Sequence, residues 1–208
     1  MKFIDYFSPE KKIIKDKFNT IPYMDVWISS IIEGYIYENV YNLDYEHCRQ
    51  EYTERYGKKE GEFKRWHHNK KLMTQRYYKE GKPEGEYKDW YVNGKLWLQG
   101  YYKEGKLEGD NKNWYPNGQL GGQEYYKEGK RDGETKRWYE NGQILSQGYY
   151  KEGKLEGEGK MWYDNGQLMC QSYYKEGKKE GEIKGWDEQG ILTSHKIYKD
   201  GKVIEDLL

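Results

Sequence analysis

Residues 81–104 read GKPEGEYKDWYVNGKLWLQGYYKE. Two turn signals cut this stretch into short runs: Glu80-Gly81-Lys82 where it starts, and Asn93-Gly94 near its middle. Asn-Gly is the strongest short hairpin signal, because both residues tolerate a positive φ. The runs between the turns, residues 85–91 and 96–103, are rich in Tyr and Trp and read as strands. The stretch is therefore one antiparallel hairpin, joined by a tight turn to its neighbours.

Those neighbours repeat it. Trp66, Trp90, Trp114, Trp138, Trp162 and Trp186 fall 24 residues apart, with no insertion or deletion. Tyr78, Tyr102, Tyr126, Tyr150, Tyr174 and Tyr198 keep the same register, as do Gly81, Gly105, Gly129, Gly153, Gly177 and Gly201. A second glycine column runs through Gly61, Gly85, Gly109, Gly133, Gly157 and Gly181. A fixed interval means one small unit stacked on copies of itself. The chain reads as an all-β repeat protein, an elongated single-layer antiparallel β-meander. Residues 52–202 form six hairpins, residues 1–51 a small, partly helical cap, and residues 203–208 a closing segment. Strands about 4.8 Å apart give an advance of roughly 10 Å per hairpin, so six span about 55–60 Å.

Composition supports a thin sheet over a deep core. Mean hydropathy is −1.29 and 35 % of residues are charged, which by itself leans toward disorder. Against that, the formal net charge is zero and 17 % of residues are aromatic, so the apolar surface is concentrated in a few large rings. Each ring removes roughly 150–250 Å² from water when buried. Zero net charge argues against a nucleic-acid partner, which calls for a basic face. Cys48 and Cys170 lie outside the repeated columns, and two cysteines are too few for a secreted disulfide scaffold. Met1 to Ile14 is interrupted by Asp5, Pro9, Glu10, Lys11 and Lys12 and has no apolar signal core. The expectation is an intracellular, cytoplasmic protein, in a host cytoplasm or virion if its source is viral.

Side chains alternate along a strand. Glu86, Lys88 and Trp90 share one face of the first strand, and the lysine recurs at Lys64, Lys112, Lys136, Lys160 and Lys184. In the second strand Leu96, Gly100 and Tyr102 share one face, and Gln99, Tyr101 and Lys103 the other. The Trp66, Trp90, Trp114, Trp138, Trp162 and Trp186 column, with Tyr102, Tyr126, Tyr150 and Tyr174, is assigned to the core, because stacked repeats must bury a continuous one. Tyr101, Tyr125, Tyr149 and Tyr173 point to the face opposite their neighbours. With Lys88, Lys112, Lys136 and Lys160 they are the candidate binding residues.

The string YYKEGKLEGEGKMWYDNGQL, residues 149–168, resembles a MORN repeat. More closely it resembles the variant found in bacterial YwqK-type antitoxin-like proteins, and similar arrays occur in proteins of large DNA viruses that infect amoebae. The resemblance covers residues 52–202. The first copy departs from the pattern, with Asn69-Lys70 for Asn-Gly and His67-His68 for Tyr and a variable residue. The histidine usual before the second glycine is Glu60, Glu84, Glu108, Asp132, Glu156 and Glu180 here. The resemblance implies a meander curved into a groove, with roles in scaffolding, self-association or protein binding. For some members it implies phosphoinositide binding.

At the N-terminus, Pro22 is a helix-start signal, and Met24, Trp27, Ile31 and Tyr35 follow at helical spacing. The spacing predicts a short helix covering the first edge strand. Val203-Ile204 and Leu207-Leu208 predict a closing strand or a dimer contact.

No motif carries catalysis or a cofactor. His47, His67, His68 and His195 show no ligand spacing with either cysteine. Cys170 stands where other copies have Leu98, Gly122, Ser146 and Ser194, which reads as a small filler rather than a nucleophile. Carboxylates repeat identically in each unit, and the glycines follow hairpin logic rather than a phosphate loop. The expected function is therefore non-enzymatic: protein binding or scaffolding along an aromatic surface, with self-association as one form of it. Alternatives are neutralisation of a toxin or host factor, and peripheral binding of anionic lipid by the lysine ladder, which the interleaved Glu weakens.

Overall fold

The two kinds of turn build the sheet in different ways. At the Glu-Gly turns both central residues take a left-handed conformation: Glu80 has φ 52° and Gly81 φ 81°, and the pair recurs down to Asp200-Gly201. This is the two-residue type I′ hairpin, whose twist matches that of the flanking strands. The Asn-Gly turns differ from expectation. Gly94 has φ 89°, while Asn93 is not among the residues of positive φ. The Tyr91 amide donates to Lys95 O and the Gly94 amide to Tyr91 O. That is a wider loop with a single left-handed residue. The Asn93 side chain closes it by accepting the Lys95 amide at 2.9 Å. In the first copy Lys70 takes the glycine's place at φ 65°.

The computed structural model describes the backbone of residues 24–31, 36–45 and 48–208, and side chains from residue 49 onward. The first strands are β1 (Met24–Ile31), β2 (Ile36–Tyr45), β3 (Cys48–Arg55), β4 (Lys58–Trp66) and β5 (Leu72–Lys79). Each pairs antiparallel with the next in chain order. The hairpins then continue without a crossover, as in Gly85–Trp90 with Leu96–Lys103 and Gly109–Trp114 with Leu120–Lys127. Among the described residues everything lies in one antiparallel sheet, the single-layer meander that the repeat implies.

One expectation is corrected. Met24–Ile31, which was to carry a helix through Met24, Trp27 and Ile31, is a strand. Its β-branched Val26, Ile28 and Ile31 suit an extended chain. It pairs rung by rung with Ile36–Tyr45, from Met24↔Leu43 to Ile31↔Ile36, so the N-terminal segment extends the sheet. The later part of the expected cap is strand as well, in Ile36–Tyr45 and from Cys48 on, while residues 1–23 with Pro22, and 32–35 with Tyr35, lie outside the described residues.

The second glycine column has its own task. A short strand, Lys82–Pro83, pairs with β5. The chain then kinks at Glu84-Gly85, where Gly85 has φ 81°, before Gly85–Trp90 pairs with β5 in a shifted register. The kink is a bulge, and it recurs in every unit at the same glycine.

A single layer cannot enclose much. Among the described side chains, Tyr87 and Ile183 are the buried apolar ones, at 4 % and 8 % exposure. The tryptophan column, expected as core, is half-buried throughout. So are Tyr102, Tyr126, Tyr150 and Tyr174.

Candidate functional site

Register decides which residues meet. Directly opposed residues of an antiparallel pair stand on the same face. Lys88 lies opposite Gln99 and Glu86 opposite Tyr101, while Lys112 flanks Gln99 from the other side. Continued across the hairpins, this lays Lys64, Gln75, Lys88, Gln99, Lys112, Gln123, Lys136, Gln147, Lys160, Gln171, Lys184 and His195 in one row transverse to the strands. Beside it runs a second row, in which Glu or Asp alternates with Tyr: Glu86 with Tyr101, Asp110 with Tyr125, Glu134 with Tyr149 and Glu158 with Tyr173. All eight candidate binding residues therefore share one face.

Glu86, Glu134 and Glu158 on this face are bracketed, while Asp110 is met by Lys112 at 3.7 Å. Lys88 Nζ donates to Glu86 at 2.7 Å and Gln99 Nε2 to the other oxygen at 2.7 Å. The same bracket closes on Glu134 from Lys136 and Gln147, both at 2.8 Å, and on Glu158 from Lys160 at 2.7 Å and Gln171 at 2.5 Å. Lys160 and Gln171 hold the Glu158 carboxyl below its ordinary pKa. The Glu182 carboxyl is lowered by Lys184 and His195 in the same way. These groups are largely exposed, so each pair contributes little to stability. They do fix side chains of opposite charge, which leaves the lysine row neutralised by its acids.

The tyrosines of this face stand out of it. Tyr101, Tyr125, Tyr149 and Tyr173 are 44–49 % exposed, and Tyr77 stands in the same column. Shallow clefts open between successive units. One is lined by Glu134, Gln147, Tyr149, Glu158 and Lys160. The next is lined by Glu158, Gln171, Tyr173, Glu182 and Lys184. Each offers a ring wall, carboxylates, an amide and an ammonium.

The opposite face is individual from unit to unit. Tyr87 and Tyr102 rings meet at 4.9 Å, and Asn111 donates to the Tyr87 hydroxyl. Burial, together with nearby Tyr102 and Asp89, pushes the Tyr87 phenol up to about 12 against the pull of Asn111. Arg76 pairs with the buried Asp89 at 3.1 Å. Further along, Glu124 accepts from Tyr126 at 2.7 Å, Arg131 at 3.0 Å and Arg137 at 3.2 Å. Burial pushes the Glu124 carboxyl up, but these donors outweigh it and hold it below the ordinary carboxylate range. Cys170 is half-buried with its Sγ 3.2 Å from Ser172 Oγ.

Two further recurring columns tie each unit to the next. Tyr91, Tyr115, Tyr139 and Tyr163 each donate a hydroxyl to the carbonyl of the next unit's tryptophan, at 2.7–2.9 Å. In the first copy His67 Nε2 reaches Trp90 O at 2.8 Å. The acids before the second glycine bond to the next tight turn: Glu84 accepts the Glu104 amide at 2.7 Å and Glu108 the Glu128 amide at 2.8 Å. Both were legible as recurring columns, but their partners are in a neighbouring unit.

Among the described residues no helix is long and apolar enough to cross a membrane, and no group of three or more His, Cys, Asp or Glu is placed to hold a metal ion. The model of the family described as MORN repeat variant matches residues 59–80, 83–104, 107–128, 131–152 and 155–176. None of the curated proteins matches the chain. Among solved structures, a mutant of S. aureus TarM in complex with Fondaparinux, alpha-GlcNAc-glycerol and UDP aligns over 85 % of this chain and 24 % of its own, at 9 % identity and a TM-score of 0.24. A TarM crystal structure aligns over 81 % and 23 %, at 9 % identity and a TM-score of 0.21. The chain spans about a quarter of the length of each.

Proposed function

The chain belongs to the MORN repeat variant family, and from that premise we propose that it is a non-enzymatic protein-binding scaffold that engages its partner along the Tyr101–Tyr125–Tyr149–Tyr173 face. The observation that carries this reading is the row of exposed rings: Tyr101, Tyr149 and Tyr173 each stand beside a carboxylate held by a lysine and a glutamine, and Tyr125 beside Asp110 with its lysine. Exposed tyrosines on a rigid sheet present large contact area at low entropic cost, and such rings dominate binding energy in protein interfaces. The occupant that suits this surface is a protein segment with its own alternation of apolar and polar groups. Binding of anionic lipid through the lysine row is disfavoured, because each lysine is paired with an acid of its own strand.

The test is capture from the native cell with the full chain and with a Tyr125→Ala/Tyr149→Ala variant, quantified by mass spectrometry. Proteins retained by the wild type are expected to be lost from the variant, while its unfolding curve is unchanged. Equal retention by both would remove the tyrosine face from the reading. Salt-sensitive flotation with anionic vesicles would transfer it to a membrane.

A further inference from the structure

The exposed tyrosines recur once per hairpin, and the strand that carries each is two strands from the next: Leu96–Lys103 pairs with Gly109–Trp114, which pairs with Leu120–Lys127. Strands set about 4.8 Å apart therefore space the rings about 9.6 Å along the row. With no insertion in the 24-residue period, that interval is repeated from Tyr101 to Tyr125, Tyr149 and Tyr173. The conformations a partner chain can offer differ in how often they return to one face. A β-strand returns every second residue, about 6.6 Å. An α-helix brings a residue back after seven, about 10.5 Å, and overshoots each ring by about 1 Å. A polyproline II helix has three residues per turn and rises about 3.1 Å at each, so it returns every 9.3 Å or about one ring spacing.

Two further features suit the same occupant. A polyproline II backbone makes no internal hydrogen bonds, so its carbonyls need donors. Tyr77 has its hydroxyl on Glu62 at 3.2 Å, whereas among the described residues those of Tyr101, Tyr125, Tyr149 and Tyr173 have no partner. Charge is also complementary. The cleft at Tyr149 holds Glu134 and Glu158 with Lys160, the one at Tyr173 holds Glu158 and Glu182 with Lys184, and the one at Tyr125 holds Asp110 and Glu134 with Lys136. Each has two carboxylates to one ammonium, so a basic side chain completes it. On the reading that the tyrosine face binds the partner, we propose that its row from Tyr101 to Tyr173 takes a polyproline II segment, with proline at every third residue and arginine or lysine between. Each proline ring lies on one tyrosine, and little entropy is lost because such a segment is preformed. The basic residues project to the side of the row where the carboxylates stand, and an arginine takes a carboxylate through two parallel hydrogen bonds. Sheet twist turns the row as it advances, so one straight segment spans about three rings, which takes about seven residues.

Fluorescence anisotropy with a labelled peptide, Pro-Arg-Ala repeated four times, tests this on the full chain. The peptide is expected to bind at least about tenfold tighter than one of the same composition whose prolines are alternately two and four residues apart. Tyr125→Ala/Tyr149→Ala is expected to weaken it at least about tenfold, with unchanged circular dichroism. Glu134→Gln/Glu158→Gln is expected to weaken it and to flatten its dependence on salt. Equal binding of the two peptides would reduce the contact to charge and overturn the proposal, as would binding that survives the loss of both rings, or no binding of either peptide. Cellohexaose bound to the same rings in their place would assign the row to a glycan and equally overturn it. Capture from the native cell that depends on Tyr125 and Tyr149, with no binding of the proline peptide, would leave the tyrosine face standing and remove only its polyproline occupant, so the two readings fail separately.

Discussion

The Tyr139 hydroxyl donates to the main-chain carbonyl of Trp162, 2.8 Å away and 23 residues further along the chain. Each hairpin is thereby tied to the backbone of its successor at the tryptophan, so the indole column and the tyrosine column after it act as one joint. Tyr139→Phe removes only the hydroxyl and is expected to cost about 1 kcal/mol. Trp138→Ala is expected to cost about 2 kcal/mol, below the roughly 3–5 kcal/mol of a fully enclosed ring, because the indole is half-buried. Trp186→Ala, near the end of the array, is expected to cost less than Trp138→Ala, since terminal repeats have fewer neighbours. Urea unfolding of the three variants measures this, and equal losses for Trp138 and Trp186 would contradict stacked repeats.

The tight turns hold a strained residue in place. Glu128 has φ 50°, a conformation costing an ordinary L-residue about 1–2 kcal/mol, and its amide is held by Glu108 at 2.8 Å. Glu128→Asn, which tolerates the conformation, is expected to raise stability by about 0.5–1 kcal/mol. Glu108→Ala is expected to lower it by about 0.5–1 kcal/mol, since water takes over the exposed amide but no longer braces the turn. Denaturation midpoints of opposite sign check the pair.

One glycine column offers a contrast within itself. A Cβ at Gly100 would stand 2.7 Å from Tyr87 Cε1 and 2.8 Å from Asn111 Nδ2. At Gly148 the nearest atom would be Leu155 Cδ2 at 3.6 Å. Gly100→Ala is expected to destabilise by about 1–3 kcal/mol, whereas Gly148→Ala is expected to be tolerated. Thermal melts of the two single variants decide it.

Binding and stability separate on the tyrosine face. Tyr125→Ala is expected to shift stability by no more than about 0.5 kcal/mol, as for exposed substitutions. It is expected to weaken partner binding by about 1–2 kcal/mol. Calorimetric titration against the captured partner measures the second, and a large fall in melting temperature would place the ring in the core.

Alkali probes the opposite face. The native Tyr87 phenol, raised to about 12 chiefly by burial, keeps its proton more tightly than the unfolded one, which titrates near 10. Its contribution is complete below about pH 10 and is lost as pH rises toward about 12. The unfolding free energy of the wild type is expected to fall more steeply over that range than that of Tyr87→Phe, by about 2 kcal/mol in all. Parallel pH profiles for the two would show that the phenol is not sequestered.

The order of strands was open to a reader of the sequence because local signals fix it. Asn93-Gly94 and Glu80-Gly81 end each run, the 24-residue period copies the result, and no long-range choice remains. Local signals were less informative where one conformation competes with another. Asn93-Gly94 suits a two-residue turn and forms a wider one, while Glu80, a poor candidate for positive φ, takes that conformation beside its glycine. Met24, Trp27 and Ile31 have helical spacing, yet the pairing available along Ile36–Tyr45 makes a strand of them.

The sequence by itself determined a hairpin of fixed length, its sixfold copy and the alternation that separates Tyr101 from Tyr102, since all of these follow from turn chemistry and the two-residue period of a strand. Only the tertiary structure decided that Lys88 meets Gln99 and Glu86 meets Tyr101, that Tyr139 reaches Trp162, and that the indoles remain half-buried. Register across a turn depends on how many residues the turn and its bulge consume. Burial depends on whether a second layer covers the sheet. Both are properties of strands set side by side, and neither is present in one strand alone.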